Sequence, residues 1–298
     1  MSEHFSVGRL ASLACLLEVS APKPGNVHRG ADFEDMTFED FVLSAEVLGQ
    51  VLDSSAEKRT GETILDAVRR THDAVKTNTN LGMVLLIVPL AKALQQSKAS
   101  RGTLVMSIVG EVLEEMTAED SMAIYEAIRV AKPGGMGDVS QWDVNSDVNS
   151  DVNSNVADAP SDIRQAMQLV ADRDMIARQY VNNFKDVFES VLPMMIEANK
   201  QKSLRQSIVE THVRLIAKFG DSLIERKCGA DASANASRLA TLAVEQLNEN
   251  NHDGFHSALA ELDFWMRSDG HRRNPGTTAD LIAAGLFVGL AKGSISPS

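Results

Sequence analysis

Cysteine is nearly missing from this 298-residue chain: there are two, Cys15 and Cys228, far apart in sequence. That excludes a disulfide framework and makes the reducing cytoplasm the expected compartment. Aromatic residues are scarce at 5%, whereas Ala, Leu and Met are plentiful, a balance that favours helices over strands. Basic residues are outnumbered, with 29 Lys and Arg against 41 Asp and Glu, for a net charge of −12. Such a surface disfavours non-specific attachment to nucleic acid or to an anionic membrane, so neither is an expected partner. Any polyanion that binds must find a local basic pocket or a metal ion. Long hydrophobic runs are missing too. The longest, Leu81 to Leu94, is interrupted by Pro89 and Lys92 and is too short to span a bilayer. Met1 to Arg9 shows no basic segment followed by an apolar run, so no signal peptide is expected.

Helical periodicity fills the chain instead. Phe38, Phe41, Val42, Ala45, Leu48 and Leu52 share one helical face, and Thr37 with Asp40 has capping-box spacing at its start. Ile64, Leu65, Val68 and Val75 suggest a second helix. Leu104 to Met116 carries another stripe, and Thr117 with Asp120 caps a helix running to about Val130. Further helices are expected near 162–200, 203–218, 231–248, 252–268 and 278–292, with Met83 to Val88 read as buried helix rather than strand. The expected fold is all-α, a single-domain multi-helix array spanning 1–298, with polar loops forming the site. An apolar helix could also pair two subunits into a homodimer.

One segment breaks the pattern. Residues 143–154 read Asp-Val-Asn-Ser three times over, a low-complexity repeat within a loop insert at about 134–160. Comparison with a calcium-binding loop fails, because Val152 stands where a glycine is required and Asp158 where Glu closes the loop. The segment reads as an exposed, mobile insert. His252 and His256 have i, i+4 spacing, but no third ligand accompanies them, so no zinc site is expected.

Four polar islands interrupt the helices. The first, Glu18 to Gly30, fixes a turn with Pro22, Pro24 and Gly25 and brings in Lys23, His28 and Arg29. The second, Thr77 to Gly82, has the Asn and Thr residues that cap helices and that also let a helix N-terminus hold an anion. The third, Lys132 to Ser140, is glycine-rich but lacks the Gly-Lys-Ser/Thr of a Walker loop. The fourth, Asp269 to Asp280, runs through His271, Arg272 and Arg273 into a helix start, where Thr277 and Asp280 again have capping-box spacing. Arginines beside free helix N–H groups form an anion pocket. Asp221 has the place of an N-cap after Gly220, and Arg173 and Asp174 lie on an expected long amphipathic helix, solvated or lining a cleft.

Taken in order, these islands resemble the triphosphoribosyl-dephospho-CoA synthase family. The pieces that carry the resemblance are Glu18 to Val27 with Asp35-Met36, Asn78-Thr79 with Gly82, Asp221 to Lys227, and Asn274 to Asp280. The family's usual Asn-Thr-His-Lys-Gly stands here as Asn78-Thr79-Asn80-Leu81-Gly82. The resemblance implies a mostly helical enzyme that moves the triphosphoribosyl group of ATP onto the ribose 2′-hydroxyl of 3′-dephospho-CoA and releases adenine. Its substrates are small nucleotides, and Mg²⁺ is the expected cofactor, accompanying the triphosphate. Lys23, Arg272 and Arg273 are then expected to contact phosphate oxygens. Gly25, Asn26, Asn78, Thr79 and Gly82 would complete the substrate site from the first two islands. Arg226, Lys227, Asn274, Gly276, Thr277 and Thr278 would do so from the last two pieces. Asp35, Asp221 and Asp280 are candidate Mg²⁺ ligands, and Glu18 or Asp35 a candidate general base. Two other readings fit the same residues: a non-catalytic regulatory or assembly protein that kept a nucleotide pocket, and an enzyme of another cofactor pathway, such as one making a methanopterin-type C1 carrier.

Overall fold

The structure is a computed structural model that describes residues 5–99, 102–134 and 160–297. The Asp-Val-Asn-Ser repeat, and the third island beyond Gly134, lie outside the described residues. Fourteen α-helices account for most of what is described, and the only strand assigned among those residues is Ser268–His271 (β1). The fold is all-α, as the composition predicts.

Two helices are buried on every side and form the centre: α4 (Leu81–Ala99) and α14 (Gly276–Lys292). A helix that is apolar all round belongs inside a core rather than on its surface. Around them pack α1 (Val7–Ser20), α2 (Phe38–Asp53) and α3 (Thr60–Val75). Then come α5 (Met106–Glu114), α6 (Ala118–Ala131), α7 (Ile163–Val170) and α8 (Met175–Val181). α9 (Leu192–Asn199) and α10 (Leu204–Phe219) complete this main core. A second apolar cluster joins α10 to α11 (Ser222–Cys228), α12 (Ala230–Asn248) and α13 (His252–Arg267) through Val213, Ile224, Leu239, Phe255 and Met266.

The capping boxes form where the sequence places them. Thr37 and Asp40 cap α2 reciprocally, and Thr117 and Asp120 do the same for α6. Asp120 also accepts the backbone N–H of Gly61 at 2.6 Å, tying the starts of α6 and α3 together. Further along, Arg69 of α3 pairs with Glu126 of α6. The two helices therefore run parallel and end side by side. The single helix expected over 162–200 is instead broken into pieces. Asp174 caps a new helix, α8, through the N–H groups of Ile176 (2.8 Å) and Ala177 (3.1 Å). Asn183 and Phe184 then take left-handed backbone conformations (φ 56° and 63°), which no right-handed helix continues through. A π-helical turn, Val187–Val191, leads into α9, and Arg173 lies in a turn rather than on a helix. Among the described residues no helix is long and apolar enough to cross a membrane.

Candidate active site

A cleft of about 560 Å³ opens where the first turns of α4 and α14 meet. The two turns touch at Gly82 and Asp280: a Cβ on Gly82 would stand 2.0 Å from Asp280 Oδ2. Only glycine permits that approach. Helix N-termini carry partial positive charge, so two of them at one cleft make an environment suited to an anion. The capping box that the spacing of Thr277 and Asp280 suggested does not form. The cap position of α14 is Pro275, without a side-chain bond, and the Thr277 hydroxyl instead accepts from Ser222 Oγ at 3.1 Å. Asp280 is left facing the cleft. Burial pushes its carboxyl well above the usual range, Glu18 and Asp221 push it further, and Arg226 acts against them.

Glu18, at the end of α1, also lines the cleft. Its partner is Lys23, and here the structure corrects the sequence reading. Lys23 is 0% exposed. Its ammonium reaches Glu18 Oε1 at 2.8 Å and donates to the carbonyls of Glu18 (2.6 Å) and Ala21 (3.3 Å). An ammonium with three donors engaged has nothing left for a phosphate. Lys23 instead holds Glu18 in place, while burial raises the Glu18 carboxyl despite that neighbour. The rest of the first island is fastened from α13 and α10. Gly25 N–H donates to Asp263 (2.7 Å) and Arg267 donates to the Asn26 carbonyl (2.6 Å). His212 Nε2 lies 3.2 Å from the Pro24 carbonyl. Burial, with Lys23 nearby, pushes the His212 imidazole down to about 3, so the ring is neutral and donates that bond. Gly25 does not line the cleft: its positive φ (73°) makes the turn, and a Cβ there would strike Met266.

Asn78 and Thr79 do reach the cleft. Asn78 accepts the Leu81 N–H at 3.1 Å, and Thr79 shares a hydrogen bond with Ser44 (2.5 Å). Arg226 pairs with Asp174, and Lys227 donates to Asn274 Oδ1 at 3.2 Å; all four line the cleft, with Gly276 and Thr277. Burial lowers the Lys227 ammonium. Asp221 and Thr278 do not line it. The Asp221 carboxylate accepts from Leu223 and Ile224 N–H (2.9 and 3.1 Å) and from Thr278 N–H and Oγ1 (2.7 and 2.8 Å). With four bonds accepted it is a clamp between α11 and α14, not a free metal ligand. Arg272 and Arg273 also turn away from the cleft. Arg273 lies over the Trp265 ring (4.6 Å) and, like Arg272, pairs with Asp269. Asp35 stands at the mouth, 3.5 Å from His271 Nε2, and His271 stacks on Phe33. Among the described residues no three His, Cys, Asp or Glu side chains gather as a ready metal site, so Asp35, Asp221 and Asp280 do not form one together.

Opposite this polar floor runs an apolar wall from α4, α6, α7 and α8, including Leu85, Tyr125, Ile128, Ile163, Met167 and Val170. Cations stand along the edge of the cleft. Lys76 and Lys132 end the parallel helices α3 and α6, both in left-handed conformations (φ 58° and 45°). Arg173 joins them, and the His72 ring lies on the same edge. Asn80 and Lys132 fall in the second and third islands but were given no role in the site, and His72 and Lys76 escaped sequence reading, because nothing in a helix-end residue announces which cleft it borders.

Fold and cleft together define an all-α enzyme that handles anionic small molecules. More specifically, the chain belongs to the ATP:dephospho-CoA triphosphoribosyl transferase (CitG) family, whose profile matches residues 4–296. Its fold is also similar to the crystal structure of a protein from Archaeoglobus fulgidus provisionally described as a triphosphoribosyl-dephospho-CoA synthase. That match has a TM-score of 0.63 and 24% identity, covering 85% of this chain and 99% of the other. At that identity the likeness speaks for the fold. No curated protein matches the chain.

Proposed function

We propose that this cleft transfers the triphosphoribosyl group of ATP to the 2′-hydroxyl of 3′-dephospho-CoA, releasing adenine. The observation that carries the proposal is convergence: Glu18 and Asn26, Asn78 to Gly82, Arg226 with Lys227, and Asn274, Gly276, Thr277 and Asp280, distant in sequence, meet around one cavity. In the reaction the bond from ribose C1′ to adenine N9 breaks and a bond from C1′ to the acceptor oxygen forms. The hydroxyl proton passes to Glu18, and a proton is returned to the departing adenine, which leaves neutral. Glu18 suits the task because Lys23 fixes its position and burial raises its affinity for a proton. The triphosphate lies against the N-terminal turns of α4 and α14, with Arg226 and Lys227 beside it. The apolar wall receives the long arm of the acceptor.

Mg²⁺ fits the donor set. It usually takes one or two carboxylates and completes its shell with substrate phosphates and water. Asp280, a buried carboxyl with too little positive charge near it, and Asp35 at the mouth would hold it. Bound there, it would neutralise phosphate charge. We place the reaction in the cytoplasm, which also suits two unpaired cysteines. The test is to incubate purified protein with Mg-ATP, with and without dephospho-CoA, and follow products by chromatography and mass. Adenine together with a triphosphoribosylated acceptor is the expected result. ATP binding without adenine release would overturn the proposal.

A further inference from the structure

Carboxylates outnumber cations 41 to 29 in this chain, and several cations near the cleft are taken up by them. Lys23 is bound to Glu18, Arg226 to Asp174, and Arg272 and Arg273 to Asp269. Three others that line the cleft, Lys76, Lys132 and Arg173, are exposed. Among the described residues Lys132 and Arg173 have no ion-pair partner, and Lys76 meets only Asp73, at 3.7 Å and in solvent.

The fold brings these three onto one rim. Gly61 with Asp120 and Arg69 with Glu126 hold α3 and α6 side by side in parallel, so Lys76 and Lys132 are neighbours at the two C-termini. Both take the left-handed backbone that glycine usually supplies at a helix end, yet both are lysine. From Lys132 the chain crosses toward α11: a Cβ on Gly134 would stand 3.2 Å from Lys227 Cε. Lys227 follows Arg226, whose partner Asp174 follows Arg173. The rim therefore continues from α3 over α6 to the turn between α7 and α8. It also bounds the apolar wall. Ile128 lies one helical turn before Lys132, and the Arg173 N–H donates to the Val170 carbonyl at 3.0 Å; Ile128 and Val170 both line the cleft.

We propose that Lys76, Lys132 and Arg173 bind the diphosphate of dephospho-CoA and so select the acceptor, while the triphosphate of ATP stays on the floor. A ligand matched to this rim has an apolar chain that ends in concentrated negative charge. Dephospho-CoA has that build, because its pantetheine arm joins the adenosine through a diphosphate. ATP lacks the arm. Ammonium and guanidinium groups both suit phosphate oxygens. Part of the charge on Lys76 and Lys132 also answers the negative ends of α3 and α6, a structural use that the experiment separates. The inference rests on the transferase reading for the identity of its acceptor, but its test reads binding and does not require turnover.

Dissociation constants for dephospho-CoA and, separately, for Mg-ATP are measured by calorimetry on wild type, Lys76→Gly, Lys132→Gly, Lys132→Arg and Arg173→Gln. A hydrogen bond to a charged group changes affinity about tenfold, and exposure trims that figure. Lys132→Gly and Arg173→Gln should each weaken dephospho-CoA about five- to tenfold and leave Mg-ATP within about twofold of wild type. Lys76→Gly should do the same to a smaller extent, since Asp73 already shares that ammonium. Lys132→Arg should keep the wild-type affinity. Added salt should weaken dephospho-CoA more in wild type than in Lys132→Gly. The glycine variants should melt no lower than wild type, because glycine takes the left-handed backbone without strain. Lysines that served only the helix ends would instead give variants that melt lower and bind dephospho-CoA unchanged. That result, or variants that weaken Mg-ATP in place of dephospho-CoA, or a wild type that does not bind dephospho-CoA, would overturn the inference. The expected binding losses without adenine release by wild type would count against the transferase reading alone.

Discussion

The floor and the wall of the cleft are built on opposite principles. The floor consists of loop residues and helix ends, several of them held by directional bonds: Glu18 by Lys23, the Pro24–Asn26 turn by His212 and Arg267, Arg226 by Asp174. The wall consists of apolar faces, Ile128, Ile163, Met167 and Val170 among them, on helices that also pack the core. Directional bonds set positions to fractions of an ångström, as bond-making chemistry needs. Apolar faces set only shape and hydration, which is enough to hold the arm of a substrate. Damage to the floor should therefore appear in stability and kcat, and damage to the wall in KM.

The largest effect should come from Lys23→Met. It removes one partner of a buried ion pair and leaves Glu18 buried without compensation, a change that typically costs about 3–5 kcal/mol. Denaturant unfolding of the two proteins measures it. A stable variant with only a raised KM for ATP would restore Lys23 as a phosphate contact and erase the distinction drawn here. Next is Gly82→Ala. The new methyl group would displace Asp280, and misplacement on that scale costs roughly 100-fold in rate. Steady-state adenine release should fall by about that factor while the melting temperature changes by only a few degrees.

His212 gives a smaller effect, read from pH. Its folded form binds a proton only near pH 3, whereas the unfolded chain binds one below about 6.5. Between those values the unfolded state holds more protons, so stability falls as pH drops below 6.5 and is constant above it. At pH 5.5 the loss should be about 1.4 kcal/mol. Replacing His212 with Asn should abolish that share of the pH dependence, and unfolding curves at pH 7.5 and 5.5 compare the two. Smallest is Met167→Ala on the wall. It should raise KM for dephospho-CoA about fivefold, in keeping with roughly 1 kcal/mol of lost apolar contact, and leave KM for ATP and kcat near wild type. A fall in kcat instead would place the wall in the chemistry.

Much of the floor was legible because its residues sit in turns and helix starts that the sequence punctuates. Thr37 and Thr117 announce α2 and α6, Asp221 announces α11, and the islands around Asn78 and Asn274 do reach the cleft. Side-chain direction was not legible. Lys23, Arg272 and Arg273 carry charge in the right loops, yet each is spent on a carboxylate, a carbonyl or an indole, partners that only the fold brings near. The wall was hidden because Met167 and Val170 have the spacing of any core face. The breaks near 171–174 and 183–184 were hidden too. A cap such as Asp174 looks like a helical acid until the turn before it is known, and nothing local predicts that Phe184 will take a positive φ.

The most direct test of the claim that Glu18, Gly82 and Asp280 form the seat of the transfer is a single-turnover measurement. Enzyme in excess over ATP is mixed with saturating dephospho-CoA and Mg²⁺, and adenine is quantified over time for wild type and Gly82→Ala. Wild type should give one adenine per triphosphoribosylated acceptor, and the variant, while still binding ATP, should give a step about 100-fold slower. Equal rates in the two proteins would contradict that claim.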